Sequence, residues 1–242
     1  GVLAWNPSRG TNQRVKYLNK VLRRLGRDDV DAKELLASIW DEWLADPHGP
    51  DLILATGDLV QDETRQGYER FRELLGQPGI PVHCLPGNHD SQEAMQAVLS
   101  EAPFRFCGIG DYPPWRLILL NSRMAGDDGG FLATHELEKL QQALTTHREG
   151  HVLVALHHQP VPMGSRWLDT VGLRNAEAFF AVTDRHPQLR AIVWGHVHQA
   201  SDQLRNGVRL ISTPSTCAQF LPAADTFTLD TRPPGYRWLD LH

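Results

Sequence analysis

No stretch of this 242-residue chain approaches the ~20 consecutive apolar residues that cross a bilayer, and no charged-then-apolar leader opens it. A soluble protein is therefore expected. Cysteine is scarce: Cys84, Cys107 and Cys217 are an odd number without Cys-x-x-Cys spacing, which argues against a disulfide framework and against a thiolate zinc knot. A reducing cytoplasm fits that usage. Excess positive charge is lacking too, and a formal charge of −5 argues against a surface for nucleic-acid polymers. No internal repeat or low-complexity tract breaks the chain, whose length and 41% hydrophobic content suit one domain spanning residues 1–242.

What is present is a series of short apolar runs that each stop at a polar cluster. Gly1 to Gly10 reads as a loop. Helical spacing of Val15, Leu18, Val21 and Leu22, then of Leu35, Leu36, Ile39 and Trp43, predicts a helical hairpin over 11–44. Its apolar stripe offers a surface for a homodimer, and its basic first arm reads as a solvated face. Beyond it, Leu52 to Ala55, Val82 to Leu85, Leu117 to Leu120, Val152 to Leu156 and Ala191 to Trp194 read as buried strands. Helices are predicted over 64–75, 91–100 and 134–146. Strands alternating with helices indicate an α/β fold. The tail, with Val208 to Ser212, Phe227 to Leu229 and Tyr236 to Leu241, reads as an antiparallel sheet.

The runs end at Gly57-Asp58, Gly87-Asn88-His89-Asp90, His157-His158 and Gly195-His196-Val197-His198. Ligands collect outside the carboxyl ends of strands in open α/β sheets, so the four clusters can converge. Asp58 offers a hard anionic oxygen and Asn88 a neutral one, while imidazoles suit zinc, iron and manganese. Alone, Gly-Asp is more often an ordinary turn, and Gly-Asn-His-Asp a turn with a helix cap at Asp90. Together they read as a metal site, with His89 toward the substrate and Asp90 fixing its tautomer. His157 and His158 should point to opposite sides, leaving His157 as the ligand. His196 and His198, two apart in extended backbone, should share a side.

Leu54-Ala-Thr-Gly-Asp-Leu-Val-Gln-Asp62, Leu85-Pro-Gly-Asn-His-Asp90, Gly195-His-Val-His-Gln199 and Pro214-Ser-Thr-Cys-Ala-Gln-Phe220 resemble the calcineurin-like metallophosphoesterase superfamily, and within it the bacterial class III cyclic-nucleotide phosphodiesterases. The resemblance runs from about Asp51 to the C-terminus. It implies a four-layer αββα fold, two mixed β-sheets flanked by helices, with two divalent transition-metal ions (manganese, iron or zinc) at the strand ends. Asp58 would bridge them. Asn88, His157 and His196 would hold the second metal and His198 the first, with His89 and Asp90 as the catalytic pair. Asn88, His89, His198, Thr213 and Ser215 would meet the substrate, a cyclic nucleotide, with cyclic AMP expected. A broader phosphodiester or phosphomonoester hydrolase, or a metal-depleted scaffold, remains the alternative.

One motif of the superfamily is missing. Members carry Asp-x-His at the end of a first strand, and no strand ahead of Asp58 ends in one here. Asp46-Pro47-His48 and Asp184-Arg185-His186 match the letters, but each precedes its strand and belongs at the opposite end of the sheet. Either a first strand is omitted from a longer protein, which the opening Gly1 and loop-like start favour, or this is a natural form with an incomplete first site, in which the first metal keeps only Asp58 and His198.

Overall fold

The structure, a computed structural model, describes residues 2–6, 49–60, 63–232 and 235–242. The hairpin expected over 11–44, its dimer surface and Asp46-Pro47-His48 lie outside the described residues. Two mixed sheets carry the fold. The first has the order β13 (Arg237–Asp240), β1 (Val2–Asn6), β2 (Leu52–Ala55), β3 (Val82–Cys84) and β4 (Phe104–Phe106). The second has the order β11 (Ser201–Arg205), β12 (Val208–Ser212), β10 (Leu189–Trp194), β9 (His151–Leu156), β6 (Trp115–Leu119) and β5 (Gly108–Tyr112).

The apolar runs explain the layering. Alternate residues of each central strand face opposite ways, so Leu52 and Leu54 of β2 meet Leu117, Leu119, Leu153, Ala155 and Val193 in a core between the sheets. Ile53 and Ala55 face the other way, with Val82 and Cys84, against α1 (Arg65–Gly76) and α2 (Gln92–Val98). Val152, Val154, Ile192 and Trp194 pack on the outer side of the second sheet, against α3 (Thr134–Thr146), α4 (Arg166–Asp169) and α5 (Ala176–Thr183). The result is the expected four-layer αββα arrangement. Helix α1 starts where Thr64 accepts the Gly67 N–H at 3.0 Å, and Ser91 caps α2 in the same way.

Two expectations need correction. The opening segment is not a loop, because Val2-Leu3-Ala4-Trp5 forms β1, antiparallel to β2 and parallel to β13. It runs against β2, with Trp5 opposite Leu52, so its carboxyl end lies away from Asp58. Nor does the tail form one antiparallel sheet. Strand β12 runs parallel to β10 and antiparallel to β11, while β13 joins the other sheet, and Phe227 to Leu229 contributes only a single bridge between Phe220 and Leu229. The Gly-rich loop at 126–130 carries part of a small hairpin, β7 (Arg123–Met124) and β8 (Asp127–Gly130).

Candidate metal centre

Strands β2 and β3 run parallel, as do β9 and β10, so their carboxyl ends present Thr56 to Asp58, Pro86 to Asp90, His157 with His158, and Gly195 to His198 together. His157 is the hub. Its Nδ1 lies 2.7 Å from the Thr56 carbonyl oxygen, which can only accept, so Nδ1 carries a proton. The other nitrogen, Nε2, stands 3.2 Å from Asp58 Oδ2, 3.2 Å from Asn88 Oδ1 and 3.2 Å from His196 Nδ1. Four potential acceptors thus crowd one point. A single proton on Nε2 could serve only one of the three neighbours, whereas a cation accepts lone pairs from all four. That donor set of carboxylate, amide oxygen and two imidazoles fits a borderline divalent metal.

Electrostatics agree with that geometry. Burial pushes the Asp58 carboxyl upward, but the His157 imidazole, the His89 N–H at 3.0 Å and His196 outweigh it and hold the group well below the usual carboxylate range. Burial, with the neighbouring His157 ring, lowers His196 to about 3, and burial takes His198 to about 4. Both rings are neutral at pH 7 and offer lone pairs.

His158 departs from its expected place. Strand β9 ends at Leu156, so the alternation that would send His158 to the far side no longer applies. The ring stands edge-on to His157 with centroids 4.9 Å apart, and ligand atoms of His157, His158 and His196 all fall within 4.8 Å of one another. Its Nδ1 is held by Ser122 Oγ at 2.8 Å, and its buried Nε2 has no partner. The sequence offered no signal for this, since it depends on where the chain bends after the strand.

His196 and His198 are not extended either. Both have left-handed backbones, at φ 50° and 48°, as does Asp58 at φ 55°. Such conformations cost non-glycine residues ~1–3 kcal/mol each, a load the buried strands behind them can carry when one fully buried Leu or Ile is worth ~1.5–3 kcal/mol. His198 is not part of the three-histidine group. Its Nδ1 lies 2.8 Å from the Ala218 carbonyl, and its ring stacks on Phe220 with centroids 4.0 Å apart and planes 10° apart.

The role expected of Asp90 does not match its contacts. Rather than orienting the His89 ring, its buried carboxylate accepts the N–H groups of Asp58 at 2.7 Å, Leu59 at 3.0 Å and Gly87 at 2.9 Å, and the Tyr68 hydroxyl at 2.9 Å. It ties the Asp58 loop to the Gly87 loop. The His89 side chain is left exposed at the mouth of the cluster. Thr213 and Ser215 also differ from expectation. Both are buried, Thr213 Oγ1 donating to the Trp194 carbonyl and Ser215 Oγ accepting the Cys217 N–H, so both are held within the loop by hydrogen bonds. Asp184 pairs with Arg205 and His186 contacts Gln141, away from the cluster, as their position before β10 requires.

Residues 26–200 match the calcineurin-like phosphoesterase family. The chain belongs to that family. Among curated relatives, the 3',5'-cyclic adenosine monophosphate phosphodiesterase CpdA of Pseudomonas aeruginosa is 45% identical over 192 residues, covering 79% of this chain and 70% of the relative. Its namesake in Escherichia coli K12 is 43% identical over 198 residues, covering 81% and 71%. Among solved structures, a dimetal phosphatase from Danio rerio superposes with a TM-score of 0.60 at 15% identity, covering 88% of this chain and 87% of that one. The family fold and the observed layers thus coincide.

Glycine is required at two points of this site. A Cβ on Gly87 would enter the Asp58 carboxylate, 2.7 Å from its Cγ, and Gly57, at φ 91°, would press on the Gly87 backbone at 2.7 Å. Gly87→Ala is expected to displace Asp58 and lower activity about 100-fold, the scale of an ångström misplacement at a reacting centre. Steady-state kinetics and metal content by atomic emission, measured together, check it, and wild-type values of both would rule it out.

Proposed function

We propose that this chain hydrolyses 3',5'-cyclic nucleotides, cyclic AMP to AMP above all, using two divalent transition-metal ions at the strand-end cluster. The observation that carries the proposal is the convergence of Asp58, Asn88 and His196 on His157 Nε2, each at 3.2 Å, in a chain whose relatives at 43–45% identity are named as cyclic AMP phosphodiesterases. Asp58 would serve both metals, Asn88, His157 and His196 would hold one and His198 the other. Manganese, iron or zinc each suit these donors.

Bound metals supply an acidified water and neutralise charge on the phosphoryl oxygens. The chain supplies the rest. Thr56 fixes the His157 tautomer through its carbonyl, and the His89 N–H fixes Asp58. As a water oxygen bonds to phosphorus the bond to the ribose 3' oxygen breaks, the exposed His89 imidazole donates the proton that oxygen needs, and the proton released by the attacking water passes to solvent, from which His89 is recharged. The 5' ester stays intact and AMP leaves. We place the reaction in the cytoplasm, where three free thiols are stable. Among the described residues no helix is long and apolar enough to cross a membrane.

The deciding assay compares cyclic AMP, cyclic GMP and bis(4-nitrophenyl) phosphate with manganese, iron or zinc supplied. Cyclic AMP should give the highest kcat/KM. Equal rates on all three would indicate a broad phosphodiesterase, and no turnover with any metal would indicate a scaffold.

A further inference from the structure

Beside the metal cluster the surface turns apolar. Phe220 carries the His198 ring on its face and meets two rings in T-shaped contacts, Trp167 with centroids 5.2 Å apart and Phe227 at 5.3 Å. Trp167 and Phe227 meet each other at 5.3 Å, closing an aromatic triangle. The segment that bears Phe227 folds back on Phe220. Leu221 donates its N–H to the Thr228 carbonyl at 2.8 Å, Phe220 bridges Leu229, and Asp225 at the tip reaches Arg166 at 3.4 Å. The hairpin is thereby tied to α4 on one side and to His198 on the other, whose carbonyl accepts the Phe220 N–H at 3.2 Å.

Its outer surface is exposed in a way the fold does not need. Phe227 is 60% exposed, Leu229 57% and Leu221 41%. Three large apolar side chains on one short hairpin form a patch, and an apolar patch continuous with a polar site marks a place where something apolar sits. The occupant follows from the neighbour. A cyclic nucleotide has a charged end, which belongs at the metal cluster, and a flat aromatic base, held one ribose away. Phe227 stands two ring contacts from His198, 4.0 Å and then 5.3 Å between centroids. Phenylalanine faces take bases by stacking, without a preference imposed by hydrogen bonds.

We propose that the Phe220 to Leu229 hairpin is the nucleobase platform of this site, with Phe227 as the residue on which the base stacks and Phe220 and Trp167 as its support. The proposal rests on the cyclic-nucleotide reading above. Because Phe227 is exposed and bears no ligand role, its removal leaves the metal cluster untouched.

The test uses the metal-loaded chain and two substrates, cyclic AMP and the baseless analogue methyl ribofuranoside 3',5'-cyclic phosphate. Phe227→Ala should raise KM for cyclic AMP about tenfold with kcat nearly unchanged, and leave kcat/KM for the baseless analogue as in the wild type. Phe227→Tyr should restore the wild-type KM. An unchanged KM for cyclic AMP, or equal losses on both substrates, overturns the platform while leaving the phosphodiesterase reading standing. A shift in oligomeric state by sedimentation with unchanged KM would assign the patch to a second copy of this chain and overturn it as well. A wild type that turns over neither substrate would remove the cyclic-nucleotide reading and the platform with it.

Discussion

His89→Ala is expected to lower kcat for cyclic AMP by about 10²–10⁴-fold, the range contributed by a positioned general acid, with metal content unchanged. The separation of the two readouts follows from the geometry. The His89 backbone N–H holds Asp58 Oδ1 at 3.0 Å, and alanine keeps that N–H. The imidazole, by contrast, is exposed and free to meet the departing oxygen. A substrate whose leaving group needs no proton discriminates further. With 4-nitrophenolate leaving, the His89→Ala defect should shrink by at least tenfold, since little charge remains on that oxygen to be protonated. If His89→Ala turned over cyclic AMP at the wild-type rate, His89 would have no place in the chemistry. If it lost metal as well as rate, the imidazole would serve the metal site and not the leaving group.

The central strands and the four clusters at their ends were legible in the sequence because each rests on local pattern, whereas the four layers followed only from the family resemblance. Leu52 to Ala55 is apolar throughout, as a strand buried on both faces must be, and the cluster that follows has to sit at its carboxyl end. Pairing direction is not local. Val2-Leu3-Ala4-Trp5 is as apolar as β2, yet nothing in its composition tells that it runs antiparallel to that strand. The same limit applies to β12 and β13, which look alike in sequence and join different sheets. Within the site, one-letter spacing predicted the wrong geometry for two pairs. Alternation holds only in extended backbone, whereas at His157-His158 and His196-Val197-His198 the chain has already left the strand and, at His196 and His198, entered the left-handed region. Side chains that meet through such bends cannot be read from alternation. Backbone partners were equally hidden, since any residue could have supplied the Thr56 carbonyl that sets the His157 tautomer.

Asp90 is where that blindness matters most, and its replacement should have the second large effect. Its carboxylate satisfies three backbone N–H groups and the Tyr68 hydroxyl in the interior. Asp90→Ala leaves all four donors without a partner where water has little access. Each unsatisfied buried group costs ~1–3 kcal/mol, so after relaxation a loss of about 4 kcal/mol is expected, a large share of the ~5–15 kcal/mol that holds a typical domain. For a chain of this size that corresponds to a fall in Tm of roughly 8–16 °C. Asp90→Asn separates charge from shape. One oxygen still accepts, but the amide NH₂ must face donor N–H groups, so most of the loss should persist. Tyr68→Phe removes a single donor and the acceptor of the Ser91 N–H at 2.8 Å, and should cost about 1–2 kcal/mol. If Asp90 instead served catalysis through His89, Asp90→Asn would melt like the wild type, keep its metals and lose rate. Loss of Tm and of metal together is the result the contacts require, because the same carboxylate holds both loops that carry Asp58 and Asn88.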